Sequence, residues 1–163
     1  MEEIHIRVIK ENEIYILEDM LYEAVYQHDE NNIIPRDVIK VPKVYAYIDK
    51  FGTLKDDNCL VADLNGRIIG AVWVRIITGK IKGYGNVDEN TPELAISLFK
   101  EYRNLGIGTR LMKQMIDFLQ EKGYHQTSLS VQKANYAVSL YKKLGYEIVD
   151  ENDEDYIMVL KLN

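Results

Sequence analysis

The sequence predicts an α/β (α+β) chain built on a mixed, mostly antiparallel sheet of six to seven strands flanked by helices. Three observations carry that expectation. Apolar residues alternate at Ile4, Ile6 and Val8; Asn65-Gly66 separates two apolar runs; and at Gly106 to Gly108 and again at Asn135 a strand passes through a turn into an amphipathic helix. A helical crossover makes parallel neighbours and a tight hairpin makes antiparallel ones, so strands of both directions share the sheet.

Each element follows from its pattern. Ile4, Ile6 and Val8 have the period of a first strand. From Glu13 to Tyr26 the period lengthens, and Ile14, Leu17, Leu21, Ala24 and Val25 share one helical face, with Asn12 placed to cap it. Val44, Tyr47, Ile48 and Phe51 repeat at helical spacing ahead of Gly52, which predicts a second, shorter helix. Cys59 to Leu64 and Arg67 to Ile77 are strands joined by Asn65-Gly66, a pair that readily takes the positive φ of a hairpin turn. Gly79 to Asn90 is a polar loop carrying Tyr84, and Glu93 to Phe99 is the next strand. Leu111, Met112, Met115, Ile116 and Leu119 form a helical stripe that begins past Gly108 and stops at Gly123. Ser128 to Val131 is a short strand, and Asn135 caps a helix presenting Ala137, Val138, Tyr141 and Leu144 before Gly145 ends it. Tyr146 to Val149 and Tyr156 to Leu162 are closing strands around a polar turn.

Composition narrows the function classes. At 163 residues the chain has the length of one domain, read as 1–163, and with 47% apolar residues it is too apolar to stay disordered. A net charge of −6 supplies no positive field, so neither nucleic acid nor an anionic membrane is an expected partner. The lone Cys59 excludes an intrachain disulfide and sits among apolar residues as a structural thiol. His5, His28 and His125 are scattered without ligand spacing, so no metal is expected. Charges in the first seven residues interrupt what a leader peptide would need, and the longest apolar run, Ile68 to Val74, is too short to span a bilayer. The expectation is a soluble cytoplasmic protein.

The segment Arg103-Asn104-Leu105-Gly106-Ile107-Gly108-Thr109 is the strongest local signal. A helix N-terminus presents unpaired N–H groups and a partial positive charge, and glycines there let an anion approach the backbone. Arg103 adds a cation, and any larger residue at Gly106 or Gly108 is expected to weaken binding. Two glycines alone also make an ordinary strand-to-helix turn. There is no Gly-Lys-Ser/Thr as in a P-loop, and no third glycine or later acidic residue as in a dinucleotide site.

Here the sequence resembles the GNAT N-acetyltransferase superfamily, whose signature is Arg or Gln, two residues, Gly, one residue, then Gly or Ala. Arg103, Gly106 and Gly108 match it, the stretch from Glu93 to Arg103 looks like the family's fourth strand and loop, and Asn135 to Tyr146 looks like its second cofactor motif. The resemblance covers Ile4 to Leu162 and is loosest in the N-terminal helices.

The resemblance implies a fold with strands 4 and 5 splayed apart, no metal, and acetyl-coenzyme A as co-substrate. Its pyrophosphate is implied to lie on Arg103, Asn104, Leu105, Gly106, Ile107, Gly108 and Thr109. Its pantetheine arm is implied to pair with backbone at Ser97 and Leu98, the Leu98 N–H facing the thioester carbonyl and stabilising the oxyanion. Tyr141 is the implied general acid for the departing thiolate; read without the resemblance it is a core aromatic. Glu93 is the implied general base, and equally a polar start to a surface strand. Asn135 is a cofactor contact, a helix cap, or both.

The reaction implied is direct attack by a small-molecule or protein amine in a ternary complex, and a homodimer is the assembly the resemblance allows. The alternative is a catalytically silent acyl-coenzyme A sensor, and a longer acyl donor is a further option. Tyrosines 22, 26, 45, 47 and 84 fall on the acceptor side, where core packing and surface exposure also explain them.

Overall fold

Seven strands make a single sheet: β1 (Ile4–Val8), β2 (Asn58–Leu64), β3 (Arg67–Arg75), β4 (Glu93–Leu98), β5 (Gln126–Gln132), β6 (Glu147–Glu151) and β7 (Asp155–Lys161). Their spatial order is β1-β2-β3-β4-β5-β7-β6, antiparallel throughout except for the parallel pair β4 and β5. The structure is a computed structural model and describes residues 3–163. Met1 and Glu2, which open the stretch read as unlike a leader peptide, lie outside the described residues. No helix among the described residues is long and apolar enough to cross a membrane.

Side-chain alternation divides the core in two. Leu60, Ala62, Val72, Val74 and Leu94 face α3 (Ile107–Glu121) and α4 (Ala137–Lys143), whose Leu111, Met112, Met115, Leu119 and Tyr141 cover them. Val61, Ala71 and Trp73 face the other way, onto Leu17, Met20 and Leu21 of α1 (Ile16–Ala24) and onto Ile48 and Phe51. Because both faces are covered, β3 reads as a nearly continuous apolar run rather than as an alternating one. Cys59 is buried in the second layer, and desolvation pushes its thiol well above the ordinary range, which makes it inert.

Two helix expectations are corrected. Asn12 does not cap α1: it lies inside a 3-10 turn, Glu11–Glu13, where the Glu13 carboxylate accepts the Lys10 N–H at 2.9 Å and pairs with Arg7. The helix therefore starts at Ile16 instead of Glu13.

The expected helix through Val44 to Phe51 is only α2 (Pro42–Tyr45), followed by linked turns in which Ile48 N–H bonds Tyr45 and Phe51 N–H bonds Ile48. Arg75 supplies the reason. Its guanidinium donates to the carbonyls of Ala46 and Asp49 at 2.9 and 2.8 Å, the groups a continuous helix would use for its own ladder. Apolar spacing at 44, 47, 48 and 51 is thus satisfied by successive turns with the same face inward.

Candidate functional site

The centre of the molecule is a place where sheet pairing stops. β4 and β5 share one registered rung, Glu93 with Ser128, where the Ser128 N–H donates to the Pro92 carbonyl at 3.1 Å. Beyond it the two strands part. Antiparallel ladders alternate, so the hydrogen bond from Phe99 N–H to the Ile69 carbonyl, 3.0 Å, sets the direction of every group on β4. Residues 93, 95, 97 and 99 bond to β3, whereas the backbone groups of Leu94, Ile96 and Leu98 face the β5 side, Leu94 at the rung itself and Ile96 and Leu98 beyond it.

By this parity the Leu98 N–H faces the opening and the Ser97 N–H does not. The Ser97 N–H belongs to the β3 ladder, and its hydroxyl donates to the Met20 carbonyl of α1 at 2.6 Å. The residue beside Leu98 on that edge is Ile96. Nothing in the sequence marks it, because strand parity is set by the partner strand.

At the wide end of the opening stands the N-terminus of α3. Gly106 is its N-cap, with φ of 83° and no side-chain cap, and Arg110 N–H is the first to bond back, to the Gly106 carbonyl at 3.2 Å. The amides of Ile107, Gly108 and Thr109 consequently have no intrahelical partner. Asn104 is also left-handed, with φ of 63°, so the backbone folds into a concave turn lined by N–H groups. Leu105 at its tip is exposed.

Arg103 is not directed at this turn: its side chain donates to the Leu98 carbonyl at 3.1 Å and pairs with Glu23 of α1 at 2.9 Å. It ties the end of β4 to the end of α1.

The two glycines differ. A Cβ on Gly106 would meet nothing but sits at positive φ, whereas Gly108 has ordinary helical φ and a Cβ there would lie 3.7 Å from Leu98 Cδ1, a normal contact. Gly106→Ala is expected to cost about 1 kcal/mol of stability through backbone strain, and Gly108→Ala close to nothing, as urea unfolding of the two variants would measure. A need for glycine at 108 therefore arises only from what binds there.

Two candidate proton-transfer groups lie on opposite faces. Tyr141 of α4 is buried in the α3 layer, its ring 5.9 Å from that of Tyr146, and burial pushes its phenol up to about 12. Tyr146 is also buried, with an unpartnered hydroxyl. Asn135 accepts the Ala137 N–H at 2.9 Å, so its side chain serves the first turn of α4.

Glu93 is on the α1 face and is not a surface residue. It is 3% exposed, covered by Gly83 to Gly85 and by Tyr47, and burial raises its carboxyl above the ordinary value. Tyr47 donates to Glu93 Oε2 at 2.6 Å. Among the tyrosines grouped on the acceptor side, Tyr47 and Tyr84 stack with ring centroids 6.4 Å apart, while Tyr22 and Tyr26 donate to the carbonyls of Ile34 and Ala134.

Comparison with known proteins agrees with this architecture. The family model described as Acetyltransferase (GNAT) family matches residues 21–146. The N-alpha-acetyltransferase of Sulfurisphaera tokodaii is 27% identical over 147 residues, covering 82% of this chain and 88% of that protein. The probable N-acetyltransferase camello of Xenopus tropicalis is 29% identical over 104 residues, or 61% of this chain and 43% of its own length, so the chain matches less than half of that relative. Among solved structures, the PaiA N-acetyltransferase of Thermoplasma acidophilum, in complex with coenzyme A, superposes over 98% of this chain and 99% of its own with a TM-score of 0.67 at 20% identity.

Proposed function

This chain belongs to the acetyltransferase (GNAT) family, and from that premise we propose that it is an N-acetyltransferase that moves the acetyl group of acetyl-coenzyme A to an amine of a small molecule or protein. The observation that carries the reading is the single rung between β4 and β5, which opens onto an uncapped helix N-terminus.

The donor set fits the co-substrate. Amides of Gly106 to Thr109 suit a pyrophosphate, and the outward N–H groups of Ile96 and Leu98 suit the amide-bearing pantetheine arm as a surrogate strand. Acetyl-coenzyme A supplies, when bound, an activated thioester. Of the two outward amides, Leu98 lies toward the cofactor turn and Ile96 toward the closed rung, and either can donate to a thioester carbonyl. Arg103 holds the end of β4 in place through the Leu98 carbonyl and Glu23.

The chemistry needs two proton transfers. An attacking amine must be neutral, and Glu93, buried on the acceptor face, is the group to take its proton. The proton that the departing thiolate needs comes from the Tyr141 hydroxyl on the opposite face. The sum is an amine and a thioester converted to an amide and a free thiol, with both side chains reset through solvent. Neither step requires a covalent acetyl-enzyme.

Release of free thiol from acetyl-coenzyme A against an amine panel tests the reading. Lysine, spermidine, kanamycin and a peptide with an N-terminal alanine represent the acceptor classes. Turnover on one of them is the expected result; tight coenzyme A binding with no turnover on any would turn the reading into that of a sensor domain.

A further inference from the structure

The Glu93 carboxylate is bound unevenly. Oε2 accepts the Tyr47 hydroxyl at 2.6 Å and the Gly85 N–H at 3.1 Å, whereas Oε1, equally buried, has no hydrogen-bond partner. A buried acceptor without a donor is costly, so it calls for a water, an ion or a substrate group that supplies one.

Tyr47 creates this asymmetry. Its hydroxyl accepts the Tyr84 N–H at 2.8 Å, which leaves its own proton directed at Glu93. Burial and the adjacent carboxylate hold the phenol well above its ordinary 10, so it remains a donor. The residue is anchored at its other end as well, since the indole N–H of Trp73 donates to the Tyr47 carbonyl at 3.1 Å.

Over the free oxygen lies Gly83, where a Cβ would stand 2.0 Å from Oε1. Gly83 is not among the positive-φ glycines, so its missing side chain answers a need for space and not for conformation. The segment it belongs to rests on the carboxylate through Gly85, and on β5 through the Ser128 hydroxyl, which donates to the Gly85 carbonyl at 2.7 Å.

We propose that Tyr47 is a positioning residue: it turns Glu93 so that Oε1 is the oxygen presented to the acceptor amine, and Gly83 to Gly85 is the cover that yields when the amine enters. The proposal rests on reading Glu93 as the base. An amine N–H then becomes the donor that Oε1 lacks, and its proton passes to that oxygen as nitrogen attacks. Other groups facing Glu93 are committed or remote. Arg75, its neighbour across β3, is neutralised by Asp57 at 2.8 Å; Ser128 is bonded to Gly85; Lys43 acts only through its field.

The test combines carboxyl carbon-13 titration of the full chain with kinetics on the best acceptor of the amine panel. Glu93→Gln identifies the resonance, and is expected to remove the acid limb of kcat/KM and to lower kcat by about 100-fold or more. Tyr47→Phe keeps ring and stacking but removes the donor that favours the carboxylate. It should raise the Glu93 titration and the acid limb together by about one pH unit and lower kcat about tenfold, with KM for acetyl-coenzyme A unchanged. Gly83→Ala keeps every donor while displacing Oε1, and should also lower kcat and move the limb.

If Glu93→Gln removes the limb but neither Tyr47→Phe nor Gly83→Ala moves it, the positioning role is overturned and the base reading stands. If Glu93→Gln leaves both limb and kcat intact, the base reading fails and this proposal fails with it.

Discussion

Tyr141→Phe is expected to lower kcat by about 100-fold while changing acetyl-coenzyme A affinity less than about threefold. The hydroxyl makes no hydrogen bond among the described residues, and phenylalanine preserves the packing against Tyr146, so folding is barely touched. Under the proposed acid role, what is lost is the proton for the thiolate. Burial pushes the phenol up to about 12, which alone makes it a weaker acid than tyrosine in water. The same exclusion of water raises the basicity of a thiolate formed beside it, and the two shifts compensate. Because the acid form persists up to about 12, no alkaline loss of activity from Tyr141 is expected through neutral pH. Stopped-flow turnover alongside calorimetric titration with coenzyme A checks the separation; equal losses in both would make Tyr141 a packing residue.

The second large effect is on stability. Asp57→Ala is expected to destabilise the fold by about 3–5 kcal/mol, because it strands a buried arginine; by the usual size scaling the melting temperature falls by about 10 °C. In the native protein Arg75 and Asp57 form a bidentate pair at 3.0 and 2.8 Å with side chains 3% and 0% exposed. The second Asp57 oxygen also accepts the N–H groups of Gly52 and Leu54, and Arg75 holds the Ala46 and Asp49 carbonyls. This pair fastens the turns after α2 to the sheet, and with them Tyr47. Replacing both partners at once, as in Asp57→Leu with Arg75→Met, should recover part of the loss, since the uncompensated charge goes with its partner. Thermal unfolding followed by circular dichroism separates the single from the double variant.

Much of this arrangement is legible in the sequence. Period-2 alternation and Asn65-Gly66 place β1, β2 and β3, and glycine at 106 marks a position at the turn where positive φ is used, although Asn104 takes one as well. Asn135 meets the Ala137 N–H as its position before the helix suggests. Legibility ends where a residue's role depends on a distant partner. Arg103 reads as a phosphate ligand because it adjoins the turn, yet Glu23, 80 residues earlier, draws it to α1. Glu93 reads equally as a surface cap or as a base, and the cover formed by Gly83 to Gly85 decides its burial.

By itself the sequence determines the order of strands and helices, the glycine turn ahead of α3 and the family to which they belong, because these depend on local periodicity, backbone freedom and short spacings. Only the tertiary structure decides that Ile96 and not Ser97 faces the opening, that the helix after Pro42 breaks into turns, and that Glu93 keeps one oxygen free. Each of those is fixed by a hydrogen bond from a group remote in the chain, and no local pattern encodes where that group will come to rest.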